Sequence, residues 1–247
     1  MDIEDLNFKL LFKRPIDIQN SCILFQPMIK EIIDYGFEKY SLLLSPYQAD
    51  INMLEIKDEN KNKFKNFDLF FLVTHDGEFL FKTNNKNMID LLCESLKFYF
   101  KTDNVYIYNK EMCVIINDLY ALNRDNFDDF ASLIFAINKT TKPKFEKPPV
   151  LQNERQKDVY EKLMKGRMRN LKKCSTNYES IINAVIHGGD YFIPYEYIEK
   201  MTIYQLVNSY ESIVNKDWYN KNFSQYLAGA EPDKLDLTHW SEKLKII

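Results

Sequence analysis

The stretch TKPKFEKPPV, from Thr141 to Val150, constrains the fold of this chain more than any other feature. It holds three prolines and four charges in ten residues. Proline interrupts helical hydrogen bonding and removes a strand donor, so neither a helix nor a central strand runs through it. The chain is therefore expected to divide into a mixed domain over 1–140, a linker over 141–150 and a helical domain over 151–247. With 247 residues in all, each part is long enough to bury a core. The expected class is α+β.

Ahead of the linker the apolar pattern switches between strand and helix periods. FKLLF (Phe8–Phe12) and SCILFQ (Ser21–Gln26) read as strands around Pro15. One helix is expected over Met28–Leu44, stopped by Ser45-Pro46 because the residue before proline avoids helical geometry. Asp68–Val73 and Glu78–Lys82 read as a hairpin across Thr74–Gly77, where Asp-Gly suits a tight turn. A helix over Asn87–Phe100 follows, then a second hairpin from Val105–Tyr108 and Met112–Ile116. A helix through Phe127–Phe135, capped by Asp125, closes the first part.

Past the linker almost everything reads helical. Glu154–Lys173 suits one long helix, weakened at Gly166. Thr176-x-x-Glu179 and Thr202-x-x-Gln205 are capping-box patterns, and His187-Gly188-Gly189 is a helix stop. Over Thr202–Lys216, the residues Ile203, Leu206, Val207, Tyr210, Ile213 and Val214 form a helical stripe. A separate short helix is expected over Trp218–Leu227, ended by Gly229 and Pro232.

Chemistry-bearing motifs are sparse. A net charge of -3 gives no global basic field for nucleic acid or acidic membrane. The apolar runs are too short for a transmembrane helix. The start, MDIEDLNFKLLFKR, is acidic and lacks the pattern of a signal peptide, so the chain is expected to stay in the cytoplasm. Cys22, Cys93, Cys113 and Cys174 lie far apart, which suits reduced thiols rather than a disulfide or zinc framework. His75, His187 and His239 show no metal spacing. The HGGD run at His187–Asp190 resembles an esterase oxyanion loop, but the nucleophile elbow that such a loop serves is missing. Neither a P-loop nor a dinucleotide fingerprint is present. Asp128, Asp129 and Glu196 form no recognisable acid–base pair. No catalytic residue, cofactor or metal is expected.

Two stretches suit contacts with other macromolecules. KLMKGRMRNLKK (Lys162–Lys173) carries six basic residues and no acid. It offers Lys162, Lys165, Arg167, Arg169, Lys172 and Lys173 to an acidic protein face or, as the alternative, to a phosphate backbone. It lacks interleaved aromatics for base stacking, which favours protein over nucleic acid. The second stretch holds Trp218, Tyr219, Phe223 and Trp240, which either close a helical core or face a partner.

MTIYQL (201–206), DWYNKNFSQYLAGAE (217–231) and DLTHWSEKLK (236–245) resemble the C-terminal part of proteins from tail gene clusters of phages and prophages of Gram-positive bacteria. FQPMIKEIIDYGFEKYSLLL (25–44) has a similar look. The resemblance implies a tail assembly factor or a minor tail component without catalysis or cofactor. Its partners would be other tail proteins or further copies of itself. Its location would be the host cytoplasm during assembly or the virion tail.

Overall fold

A computed structural model describes residues 3–19, 22–53, 63–73, 78–80, 82–83, 86–143 and 177–243. Between 144 and 176 it describes only 156, 158–160, 162–163 and 165–166. The architecture is α+β, with helices and small antiparallel sheets first and a helical region after them.

The chain opens with α1 (Ile3–Leu11), where a strand was expected over Phe8–Phe12. Leu10 is fully buried, while Phe8 and Phe12 are exposed and stack on each other one turn apart. Asp5 and Lys9 pair at 3.1 Å across the same turn spacing. The alternation that imitates a strand therefore comes from one helical face with aromatic residues on the outside. Next come β1 (Ile16–Gln19) and β2 (Cys22–Leu24), an antiparallel pair in which Ile16 faces Leu24.

The helix expected over Met28–Leu44 is two helices, α2 (Ile29–Tyr35) and α3 (Phe37–Leu43). Gly36 separates them at φ +95, a backbone angle that a side chain resists. Its N–H still closes onto Ile32 O at 2.8 Å, and the chain then turns. Asp68–Val73, expected as a strand, is mostly a 3-10 helix over Asn66–Phe71. Its Asp68 carboxylate accepts from Lys65 N at 2.8 Å, and Phe67, Leu69 and Phe70 are all buried. A short, mostly apolar run of this kind suits a buried strand or a buried helical turn equally, and here the Asp68 cap goes with the turn. Val73 and Phe79 keep a single bridge, and the Thr74–Gly77 turn lies outside the described residues.

Two short strands, β3 (Lys82–Thr83) and β4 (Lys86–Asn87), precede α4 (Met88–Phe100). Then β5 (Val105–Tyr108), β6 (Cys113–Ile116) and β7 (Tyr120–Leu122) make a three-stranded meander. The third strand was not expected. Its turn carries Asn117 and Asp118 at φ 53 and 56, residue types that tolerate the left-handed region. The helix α5 (Phe127–Ile137) has Asn126 rather than Asp125 at its N-cap. Asn126 Oδ1 accepts from Asn123 N at 2.8 Å, and Asp125 pairs instead with Lys65 at 2.7 Å.

The later helices are α6 (Tyr178–His187), α7 (Tyr195–Lys200) and α8 (Ile203–Leu227). Asn177 caps α6 by accepting from Ser180 N at 2.8 Å; Thr176, the expected cap, lies outside the described residues. Thr202 and Gln205 form the reciprocal box expected of them, at 2.9 and 3.2 Å. The helix stop at Gly188 is also present. Of Glu154–Lys173 only 156, 158–160, 162–163 and 165–166 are described, all of them helical, and most of the linker lies outside the described residues.

Buried residues from both sides of the linker join one hydrophobic cluster. Ile181, Val185, Ile186, Ile198, Ile203, Tyr204 and Leu206 pack with Leu10, Ile29, Tyr99 and Ile134. Each fully buried aliphatic side chain contributes about 1.5–3 kcal/mol. A polar seam holds the same junction. Met28 and Thr202 form an antiparallel bridge, flanked by Ile29 N to Met201 O at 2.9 Å and Ile203 N to Pro27 O at 3.1 Å. Gln205 Nε2 reaches Leu11 O at 2.7 Å, and Lys13 Nζ reaches Lys200 O at 2.9 Å. Lys139, just after α5, places Nζ 2.7 Å from Glu211 and 5.4 Å above the Tyr204 ring.

Candidate protein-contact surface

The functional question centres on α8, which runs unbroken for 25 residues where a break before Trp218 was expected. Its apolar side changes face. In the first half, Ile203, Tyr204 and Leu206 are fully buried, and Val207, Tyr210 and Ile213 pack against the core edge. Val214, expected on the buried stripe, is exposed, and Tyr204, not expected there, is buried. At 3.6 residues per turn, Tyr219, Asn222, Phe223 and Tyr226 then line up nearly opposite that first stripe. The stripe changes side while the hydrogen-bond ladder continues, which is why the pattern reads as two helices.

The second stripe meets the last described segment of the chain. A 3-10 turn over Trp240–Lys243 packs back along α8. The Tyr219 ring lies edge-on to His239 at 5.2 Å and stacks on Phe223 at 5.9 Å. Phe223 continues to Tyr226 at 6.3 Å, and His239 sits 5.5 Å from Trp240. These separations fall in the range in which aromatic pairs attract beyond simple area burial.

The cluster is incompletely covered. Trp218 is 51% exposed, Phe223 and Tyr226 are each 42% exposed, and Leu227 is 71% exposed. Lys221 Nζ lies 5.8 Å from the Trp218 ring, an exposed cation–π contact. At its centre the Asn222 side chain is buried, and its Nδ2 has no hydrogen-bond partner. An unsatisfied buried amide costs about 1–3 kcal/mol. Of the four aromatic residues singled out in the sequence, Tyr219, Phe223 and Trp240 gather with His239, and Trp218 stands beside them on α8. Tyr226, Leu227 and His239 belong to the same surface and were missed, although Tyr219, Phe223 and Tyr226 carry the i, i+4, i+7 spacing of one face.

Of the basic stretch, Lys162 and Lys165 are described, both helical and exposed. Arg167, Arg169, Lys172 and Lys173 lie outside the described residues. Elsewhere, a cleft of about 530 Å³ lies between the 3-10 helix over Asn66–Phe71 and the turns at Lys110–Met112 and Asn123–Asp125. Several of its charges are paired. Arg124 sits 3.3 Å from Asp68, and Asp125, paired to Lys65, has its carboxyl held below the usual range. The strongly raised groups are structural. Burial pushes Tyr40, Tyr47 and Tyr99 well above the ordinary tyrosine range, and burial pushes the Cys93 thiol up to about 11.

Among the described residues there is no group of three or more His, Cys, Asp or Glu placed to hold a metal ion. None of the described helices is long and apolar enough to cross a membrane.

Residues 170–245 fit the model of the YomV second domain, a phage-type domain family. This segment spans α6, α7, α8 and the aromatic turn that packs on it. No curated protein and no solved structure matches the chain. The C-terminal part of the chain is thus similar to a phage-type domain, consistent with a phage-related protein.

Proposed function

We propose that this chain is a non-enzymatic phage or prophage tail protein, acting in tail assembly or as a minor structural component through protein contacts. The observation that carries the proposal is the half-covered aromatic surface on the second half of α8, inside the segment similar to a phage-type domain. Four large apolar side chains stand on one exposed helical stretch, and a buried Asn222 amide among them lacks an acceptor. Aromatic side chains, Trp and Tyr above all, are enriched at the centres of contact surfaces. The partner is another tail protein or a further copy of this chain.

Mass spectrometry of purified particles, compared with lysates of cells assembling them, tests the proposal. A structural component co-purifies with the particles, and an assembly factor stays in the lysate bound to tail intermediates. Absence from both particles and intermediates would refute the tail role. Trp218→Ala combined with Phe223→Ala is expected to abolish co-purification while leaving the fold intact, because both side chains are about half exposed and stand outside the buried core cluster.

A further inference from the structure

A second surface lies away from the α8 cluster, where the two sides of the linker meet. Phe37 at the start of α3, Tyr178 and Glu179 in the first turn of α6, and Tyr195 at the start of α7 line an open notch of about 470 Å³. The Phe37 and Tyr178 rings stack with centroids 4.8 Å apart at 25°, and Tyr195 is 57% exposed beside them. Asn177 and Asn183 also line the notch.

The polar groups here are exposed and open to a ligand. Asn177 spends its side-chain oxygen on capping α6, which leaves its Nδ2 free to donate. Among the described residues, neither the Glu179 carboxylate nor the Asn183 amide has a hydrogen-bond or ion-pair partner. Glu38 and Glu196, exposed, directly follow Phe37 and Tyr195 along the chain. Lys39, the nearest basic residue along the chain, is not among the residues lining the notch. Among the described lining residues the only formal charge is therefore negative.

Aromatic faces are electron-rich and attract cations, and a carboxylate beside them adds a counter-charge. A guanidinium suits such a place better than an ammonium, because it is planar, stacks on rings and offers several donors to one carboxylate. We propose that the notch accepts an arginine side chain from a basic segment of a partner protein. The rings of Phe37, Tyr178 and Tyr195 would flank the guanidinium, and Glu179 would pair with it. The Asn177 and Asn183 amides are placed to meet the backbone of the same segment. This inference does not depend on the α8 surface or on the tail role.

The test is a titration of the isotope-labelled full chain, followed by backbone amide resonances. The probes are a blocked Gly-Arg-Gly-Arg-Gly peptide and its citrulline counterpart, which keeps the shape and loses the charge. The arginine peptide is expected to shift residues 177–183 and 195, and the citrulline peptide to leave them in place. Glu179→Gln and Tyr195→Ala are each expected to weaken binding by about two- to fivefold, the scale of a single exposed ion-pair or cation–π contact. Equal binding of the citrulline peptide, shifts that miss the notch, or unchanged affinity in both variants overturns the proposal. Binding of a neutral oligosaccharide in place of the arginine peptide overturns it too. The shift map of the unaltered chain needs no variant, so the test survives if a variant fails to fold.

Discussion

Replacing Tyr40 by Phe probes a fully buried polar network of the core. Tyr40 is fully buried, and its hydroxyl donates to Asn138 Oδ1 and meets the Tyr99 hydroxyl at 3.1 Å. Asn138 Nδ2 in turn donates to Tyr99 at 2.8 Å and to Ile134 O at 2.8 Å. Removing the Tyr40 hydroxyl leaves Asn138 Oδ1 without a donor and the Tyr99 hydroxyl with one partner fewer. Each buried polar group left short costs about 1–3 kcal/mol, so the expected loss is about 2–4 kcal/mol. In urea unfolding, with a slope of about 2–3 kcal/mol/M, the midpoint falls by about 1 M. Asn138→Leu alone also destabilises, because two tyrosine hydroxyls remain for one mutual bond. The double variant Tyr40→Phe with Asn138→Leu removes both sides of the main bond and is expected to cost less than the sum of the singles. A loss below about 0.5 kcal/mol for Tyr40→Phe, or strict additivity in the cycle, would show that water already serves these groups.

Three further outcomes follow from the same structure. Gly36→Ala meets open space but forces a side chain onto φ +95, and is expected to lower stability by about 1–3 kcal/mol in thermal or urea unfolding. Thr202→Ala removes the cap on Gln205 N at a fully buried helix start, with an expected loss of about 1–2 kcal/mol, whereas the exposed Ser224→Ala stays within about 0.5 kcal/mol. Burial raises Tyr40, Tyr47 and Tyr99 above the ordinary value of 10.0, so the folded state holds these protons more tightly than the unfolded chain. Their stabilisation is whole below pH 10.0 and is lost as pH climbs past it, so tyrosine absorbance should show a class that ionises only together with unfolding.

Much of the fold was legible where one local rule dominates. The Val105–Tyr108 and Cys113–Ile116 hairpin, α4 and the Thr202–Gln205 box each follow from alternation, helical spacing or reciprocal capping alone. The failures share a cause. Phe8–Phe12 and Asp68–Val73 are short aromatic-rich runs in which both periods fit, and Trp218–Leu227 continues a helix whose apolar stripe changes face; only the neighbours that cover each side chain decide such cases. The candidate surface was half legible. Trp218, Tyr219, Phe223 and Trp240 stood out as large apolar residues in a polar stretch, but their mutual contacts depend on the chain folding back from Gly229 onward. The notch at Phe37, Tyr178 and Tyr195 was not legible at all, because its walls lie far apart in sequence.

The sequence by itself determined the α+β class, the Thr202–Gln205 cap and the residues able to form a sticky surface, because these depend on spacing within one segment. Only the tertiary structure decided that α8 carries one apolar stripe into the core and the other toward Trp240, since burial is a property of what packs against a face. It likewise decided that Met28 meets Thr202 and that Gln205 reaches Leu11, joining 25–44 to 201–206 across the linker. Contacts at that separation are set by the whole core closing at once, and no local pattern encodes them.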